Sequence, residues 1–286
     1  MKKDLLSLNE LSKKEIDGII DLAIDIKKNI NKYSGKLKGK TLAMLFEKTS
    51  TRTRCSFESG FAKLGGFASF IDWKTTQLGK ARLKDEIRCI ERYYDIIMAR
   101  VYSHKSLVEM VKYTNIPIIN GLSDLYHPCQ ILADLMTIKE KKGKLKGLTL
   151  AYIGDGNNVC NSLIIGCKKV GMKIKVACPN GYEPKEKPDL LANKPEEAAK
   201  HVDIIYTDTW VSMGQESEKE KRLKDFKGFT VTKSLLGKAL FMHCLPAYTG
   251  YELTEEVIES KQSIVFDQAE NRMWAQMAVI LKLLKL

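Results

Sequence analysis

The stretch Glu47-Lys-Thr-Ser-Thr-Arg-Thr-Arg-Cys-Ser-Phe57 decides the reading of the fold. Before it, Thr41-Leu-Ala-Met-Leu-Phe46 reads as a short apolar strand; after it, Phe57, Phe61 and Leu64 recur at helical spacing. The segment is therefore a strand-to-helix turn. A helix exposes unpartnered backbone N–H groups at its start, and here the chain adds the hydroxyls of Thr49, Ser50, Thr51 and Thr53 and the guanidiniums of Arg52 and Arg54. Backbone donors and hydroxyls can surround phosphate oxygens while an Arg fork neutralises charge. No Walker-type glycine run is present, so a nucleoside triphosphate is not indicated. Ser and Thr also serve as plain helix caps, which is the competing use of the same residues.

Outward from that turn the chain repeats strand and helix. Ser12 and Glu15 form a capping-box pattern, and Ile16, Ile19, Ile20, Ala23 and Ile24 mark one face of the helix that follows. Strands are predicted at Gly39–Phe46, Phe67–Ile71, Asp95–Val101 and Ile116–Asn120, then at Leu148–Ile153, Lys173–Ala177, Asp203–Thr207, Lys238–Met242 and Ser263–Phe266. Helices are expected after Pro128, over Ser162–Val170, and from an Asp267 N-cap with Glu270 completing a capping box. The charged run Gln215–Lys227 reads as exposed and mobile. The expected fold is α/β: two doubly wound parallel-sheet domains joined by interdomain helices, with the active site in the cleft. The domains are set at 1–130 and 143–267, joined by a helix over 131–142, with a C-terminal helix 268–286 packing back on the first.

Composition narrows the function. The chain has 286 residues, 44% of them hydrophobic and 29% charged, as in a globular protein. The first residues lack the apolar core of a signal peptide and no run reaches membrane-span length, so a cytoplasmic protein without a membrane partner is expected. Seven cysteines without a C-x-x-C pair suit a reducing compartment and give no zinc pattern. A formal charge of +12 attracts anions. The densest basic run, Lys139–Lys146, has no interleaved aromatics, so phosphorylated small molecules fit better than nucleic acid.

Strand ends carry the remaining chemistry. Arg100 closes one strand, and His127-Pro-Cys-Gln130 opens a helix. Asp155, Asn157 and Asn158 follow another strand, Asp208 a third, and His243-Cys-Leu-Pro246 the next, while Arg272 lies near the start of the last helix. Gly154-x-Gly156 has Val159 where a dinucleotide fingerprint has its third glycine, so a Rossmann cofactor is not supported. One half offers hydroxyls and Arg for a phosphate, the other a carboxylate and amides for an amine. That is the inventory of a two-substrate transferase.

Ser50-Thr-Arg-Thr-Arg54 resembles the carbamoyl phosphate motif of the aspartate and ornithine carbamoyltransferase family. Arg100, His127-Pro-Cys-Gln130 and His243-Cys-Leu-Pro246 resemble further family motifs, and Asp208-x-x-x-Ser212-Met213-Gly214 the motif that marks the ornithine branch. The resemblance implies that Ser50, Thr51, Arg52 and Thr53 hold the phosphate. It implies that Arg100, His127, Gln130 and Arg272 contact the carbamoyl group, and that Asn158, Asp208, Ser212 and Met213 bind ornithine. Cys244 and Leu245 would complete the site, and Gln77 would reach into a neighbouring subunit's site in a homotrimer. Neither a metal nor an organic cofactor is implied. A covalent role for Cys244 is the rival; neighbours on a strand face opposite ways, so His243 is badly placed to activate it. The family usually has an acidic residue followed by Ser after Gln77-Leu-Gly79, where this chain has Lys80-Ala-Arg-Leu83.

Overall fold

The computed structural model describes residues 3–212 and 214–286, and the chain divides into two compact units, Met1–Met136 with Glu270–Leu286 and Thr137–Ala269. In the first unit, helix α1 (Lys13–Lys28) is closed by the Ser12–Glu15 capping box and buries Ile16, Ile19, Ile20 and Ala23. Strands β1 (Thr41–Phe46), β2 (Phe67–Asp72), β3 (Ile96–Arg100) and β4 (Ile118–Leu122) form a parallel sheet in the order β2-β1-β3-β4. Leu42 to Phe46 and all of β3 are buried, as parallel strands covered on both faces must be. Each such Leu, Ile or Phe contributes about 1.5–3 kcal/mol. Strand order reverses at β1, and the register Phe46↔Arg100↔Leu122 brings three strand ends to one edge. Helices α2 (Thr51–Lys63) and α3 (Pro128–Lys142) both start from that edge, and α3 continues past Met136 into the second unit.

The second unit repeats the plan. Strands β5 (Thr149–Ile153), β6 (Lys173–Ala177), β7 (Leu190–Ala192), β8 (Ile204–Thr207) and β9 (Leu240–His243) run parallel in the order β7-β6-β5-β8-β9. Order reverses at β5, so the loops after β5, β8 and β9 meet at a switch point, where α/β sheets hold ligands. The core of this unit gathers Ile153, Ile205, Trp210, Phe226, Phe229 and Phe241. Helix α4 (Asn158–Val170) follows β5 and helix α5 (Lys219–Asp225) follows β8. Helix α6 (Val265–Leu284) begins in this unit and ends in the first.

Four sequence expectations are corrected. Ser263–Phe266 is no strand: Ser263 makes one bridge to Phe241, and α6 already begins at Val265, with Phe266 67% exposed on its first turn. Asp267 is consequently inside the helix and cannot cap it; its carboxylate pairs with Lys141 at 2.9 Å. Helix α4 starts four residues before Ser162, because Asn157 caps it by accepting from Val159 and Cys160 N–H. The run Gln215–Lys227 contains α5, whose Arg222 is buried rather than exposed. Strand β7 was not anticipated; it is three residues long, with Leu190 and Leu191 exposed at the sheet edge. Among the described residues no helix is long and apolar enough to cross a membrane.

Candidate active site

The hydroxyl turn caps α2. Ser50 adopts an extended backbone as N-cap and its Oγ accepts from Thr53 N–H at 3.3 Å while donating to Thr53 Oγ1 at 3.1 Å. Thr51 is exposed and Arg52 half-buried on the first turn. Arg54 points elsewhere, with Nε on Glu58 at 3.1 Å and its guanidinium 4.0 Å from the centre of the Phe70 ring. Of the two arginines in the motif, Arg54 is thus engaged away from the turn.

Arg272 on α6 joins that turn to the start of α3. One terminal nitrogen donates to Gln130 Oε1 at 2.7 Å and the other to Thr53 Oγ1 at 3.1 Å. Gln130 in turn donates from Nε2 to Asp134 at 2.9 Å, which fixes its amide so that the oxygen faces the guanidinium. His127, preceding Pro128 at the helix start, is buried, and Arg100 at the end of β3 is 7% exposed. Burial pushes the His127 imidazole well below its ordinary value, and the positive charges of Arg272 and Arg100 push it further. Two buried guanidiniums beside a neutral imidazole and a capped helix start make a site that favours an anion with an adjacent carbonyl. The Cys129 thiol is no nucleophile: burial raises its pKa to about 12 against the opposing pull of Arg272. Gln77 lies apart from this cluster in sequence and is exposed, its carbonyl accepting from Lys80 and Ala81 N–H.

In the second unit the strand ends converge on Asp208, which is 5% exposed. Its Oδ2 accepts from Asn157 Nδ2 at 2.7 Å; its Oδ1 accepts from the Cys244 thiol at 2.9 Å and from Thr209 N–H at 2.8 Å. The register Ile153↔Thr207↔His243 explains the meeting, since the next residues of all three strands leave at one level. The Tyr152 phenol beneath is held well above its ordinary value by burial and then by Asp208. A carboxylate with both oxygens oriented by donors is suited to a cationic amine. Asn158, the first residue of α4, and Ser212 are half-buried, and Ser212 N–H donates to Gln215 Oε1 at 3.1 Å. Met213 lies outside the described residues.

Sequence reasoning noted Asn157 at a strand end without giving it a role, and passed over Arg222. Asn157 orients Asp208; an Asn directly before an apolar helical run is an N-cap signature and would have marked it. Arg222 donates through one nitrogen to Asp155 at 2.9 Å and to the Trp210 carbonyl at 3.1 Å, and through Nε to Glu218 at 2.8 Å. It pins the segment after Asp208 to the loop after β5. Burial raises the Asp155 carboxyl to about 6 despite the opposing charge of Arg222.

Beyond the last strand, Leu245 has a left-handed backbone, φ 58°, and its N–H donates to His243 Nδ1 at 2.8 Å. Donor atoms of Asp208, His243 and Cys244 lie within 4.8 Å of one another. They do not fit a metal ion, because Nδ1 of His243 is taken by Leu245 and Nε2 faces Glu252 at 3.2 Å.

Comparison with known proteins agrees with both halves. Residues 3–140 match the carbamoyl-P binding domain of aspartate/ornithine carbamoyltransferases, and residues 146–283 match the Asp/Orn binding domain. An ornithine carbamoyltransferase of Methanocaldococcus jannaschii is 49% identical over 96% of this chain and 97% of its own. The structure of ornithine carbamoyltransferase from Pyrococcus furiosus superposes with a TM-score of 0.92 at 48% identity, covering 97% of this chain and 96% of that one. The Thermus thermophilus structure gives the same TM-score at 42% identity, with 99% of each chain covered.

Proposed function

The chain belongs to the aspartate/ornithine carbamoyltransferase family, and on that premise we propose that it transfers the carbamoyl group of carbamoyl phosphate to the δ-amine of L-ornithine, giving L-citrulline and phosphate. The observation that carries the choice of amine is Asp208, whose oxygens are both oriented by donors. That group suits the α-ammonium of ornithine. Aspartate would need cations for its carboxylates, and Arg222, the one arginine between residues 137 and 269, is committed to Asp155.

In this reading Ser50, Thr51, Arg52 and Thr53 bind the phosphate, and Arg100, His127, Gln130 and Arg272 the carbamoyl group. Asn158, Asp208, Ser212 and Met213 bind ornithine, with Cys244 and Leu245 completing the site. The δ-amine attacks in its neutral form, forming the C–N bond as the carbonyl oxygen takes negative charge. Neutral His127 donates a hydrogen bond to that oxygen, and Arg52 and Arg100 stabilise it. The tetrahedral intermediate collapses as the C–O bond to phosphate breaks; the phosphate leaves as an anion held by the hydroxyl turn. Orientation of two bound substrates supplies much of the rate. The first unit takes the carbamoyl phosphate role and the second the ornithine role. A cytoplasmic homotrimer, with exposed Gln77 serving the neighbouring subunit, completes the proposal.

The test is citrulline formation by the purified protein from carbamoyl phosphate with ornithine, in parallel with putrescine, N-acetylornithine and aspartate. Turnover confined to ornithine is expected. Turnover with another amine instead would overturn the role of Asp208, and full carbamoyl phosphate use by Arg52→Ala would overturn that of the hydroxyl turn.

A further inference from the structure

Resting on the carbamoyl-transfer reading, we propose that the buried His243–Glu252 pair is a positioning device that sets the backbone of Leu245 and the thiol of Cys244 at the carboxyl end of β9. Both residues are fully buried, so neither can touch a substrate. Their influence must pass through what they hold.

The hydrogen bonds fix the ring's tautomer. A backbone N–H can only donate, so Nδ1 of His243, which receives Leu245 N–H at 2.8 Å, carries a lone pair. The ring proton therefore sits on Nε2, directed at Glu252 Oε1 at 3.2 Å. The same carboxylate oxygen accepts from Tyr248 N–H at 2.7 Å. One imidazole and one carboxylate thus tie down the segment from Cys244 to Tyr248 at two points. Each is itself anchored. His243 N–H donates to Gln268, which donates to the Tyr206 hydroxyl on β8, and the Glu252 carbonyl accepts from Val231 N–H at 2.9 Å.

The pair does what an apolar pair cannot. A left-handed backbone costs a non-glycine residue about 1–2 kcal/mol, so Leu245 needs a directional partner to stay there. Buried polar pairs add little net stability over well-packed apolar ones; what they add is geometry. Cys244 is the single residue between His243 and Leu245, and its thiol is on Asp208. A shift of the imidazole would move both groups.

Four variants separate positioning from packing. His243→Asn places an amide oxygen near the Nδ1 position and can still receive Leu245 N–H. His243→Gln reaches towards Glu252 and leaves Leu245 N–H unanswered. Glu252→Gln keeps an oxygen acceptor for Nε2–H, whereas Glu252→Leu removes it and lets the ring proton move to Nδ1, opposite Leu245 N–H. His243→Gln and Glu252→Leu should lose about 100-fold in kcat, the scale of a misplaced reacting group. His243→Asn and Glu252→Gln should recover most of that loss at similar melting temperatures, and ¹⁵N spectra of the wild type should show the His243 proton on Nε2. Activity that tracks melting temperature across all four, or a proton on Nδ1 in the wild type, overturns the proposal. If the wild type makes no citrulline with ornithine, the functional reading fails separately. The ¹⁵N tautomer and the relative alkylation rates of Cys244 in His243→Asn and His243→Gln then decide the positioning claim, a matched pair of rates counting against it.

Discussion

Arg272 and Thr53 stand 219 residues apart in the chain and share a hydrogen bond of 3.1 Å, through which the last helix joins the hydroxyl turn at the start of α2. The other arm of the same guanidinium holds Gln130. Replacing Arg272 with Met keeps much of the side-chain volume and removes both bonds. In steady-state assays at saturating ornithine, kcat/KM for carbamoyl phosphate should fall by about 10²–10³, as when one donor to a developing oxyanion is lost. An unchanged value would remove Arg272 from the site.

His127 should leave no mark on the neutral limb of the rate profile. Its imidazole is held well below the ordinary value of 6.5 by burial and by Arg272 and Arg100, so it stays neutral in the folded protein at pH 7. The unfolded chain still takes up a proton near pH 6.5. Below that pH the unfolded state binds more protons than the folded one, so stability is complete above 6.5 and declines as pH falls towards the depressed folded value. Denaturant melts between pH 5 and 8 on the wild type and on His127→Gln should show a steeper acid loss in the wild type. Parallel curves would contradict the assignment.

Cys244 donates its thiol proton to Asp208, so a hydroxyl can take its place. Cys244→Ser should keep substantial turnover, whereas Cys244→Val, which leaves Oδ1 of Asp208 with Thr209 N–H as its remaining donor of the two, should lose about 1–3 kcal/mol of transition-state binding, or roughly 5- to 150-fold in kcat/KM for ornithine. A dead Cys244→Ser variant, or a carbamoyl adduct that accumulates on the thiol of the wild-type protein, would favour the covalent route.

Breaking the Arg222–Asp155 pair is a stability experiment. Arg222→Met leaves a buried carboxylate without its cation and should cost about 3–5 kcal/mol. Adding Asp155→Asn should recover most of that loss, since no charge is then stranded. Urea melts of both variants check it; an equal loss in the double variant would show that packing alone is at stake.

Gly156 is fixed by space rather than by φ. A Cβ there would meet Pro184 N at 2.2 Å and the Glu183 carbonyl carbon at 2.5 Å, both backbone atoms that cannot swing aside. Gly156→Ala should therefore destabilise by about 3 kcal/mol, at the upper end of overpacking effects, read as a lowered midpoint in urea.

Some of this was open to inspection in the sequence because its causes are local. The Ser50 cap, the Ser12–Glu15 box and Pro128 at the first position of α3 each depend on residues three or four apart. The alternating strands and helices likewise follow from apolar spacing. Arg222 was hidden because Glu218-Lys-Glu-Lys-Arg-Leu-Lys-Asp225 has the composition of a solvated surface, and only the fold shows which of its charges turns inward to Asp155. Val265 and Phe266 have the β-branched and aromatic character of a strand, yet the helix that they open prevails over local preference. The grouping of Asp208 with Asn157 and Cys244 needed the strand register, which no spacing along the chain reports.

The division of the chain also sets an order of birth. Thr137–Ala269 is one unbroken run, so that unit holds within itself every residue that joins Asp208 to Asn157 and Cys244. The first unit begins earlier and finishes later, because Thr53 and Gln130 wait for an arginine that emerges only after the whole second unit has been made. A released chain that ended before residue 270 would hold every member of the carboxylate cluster and a hydroxyl turn without its arginine.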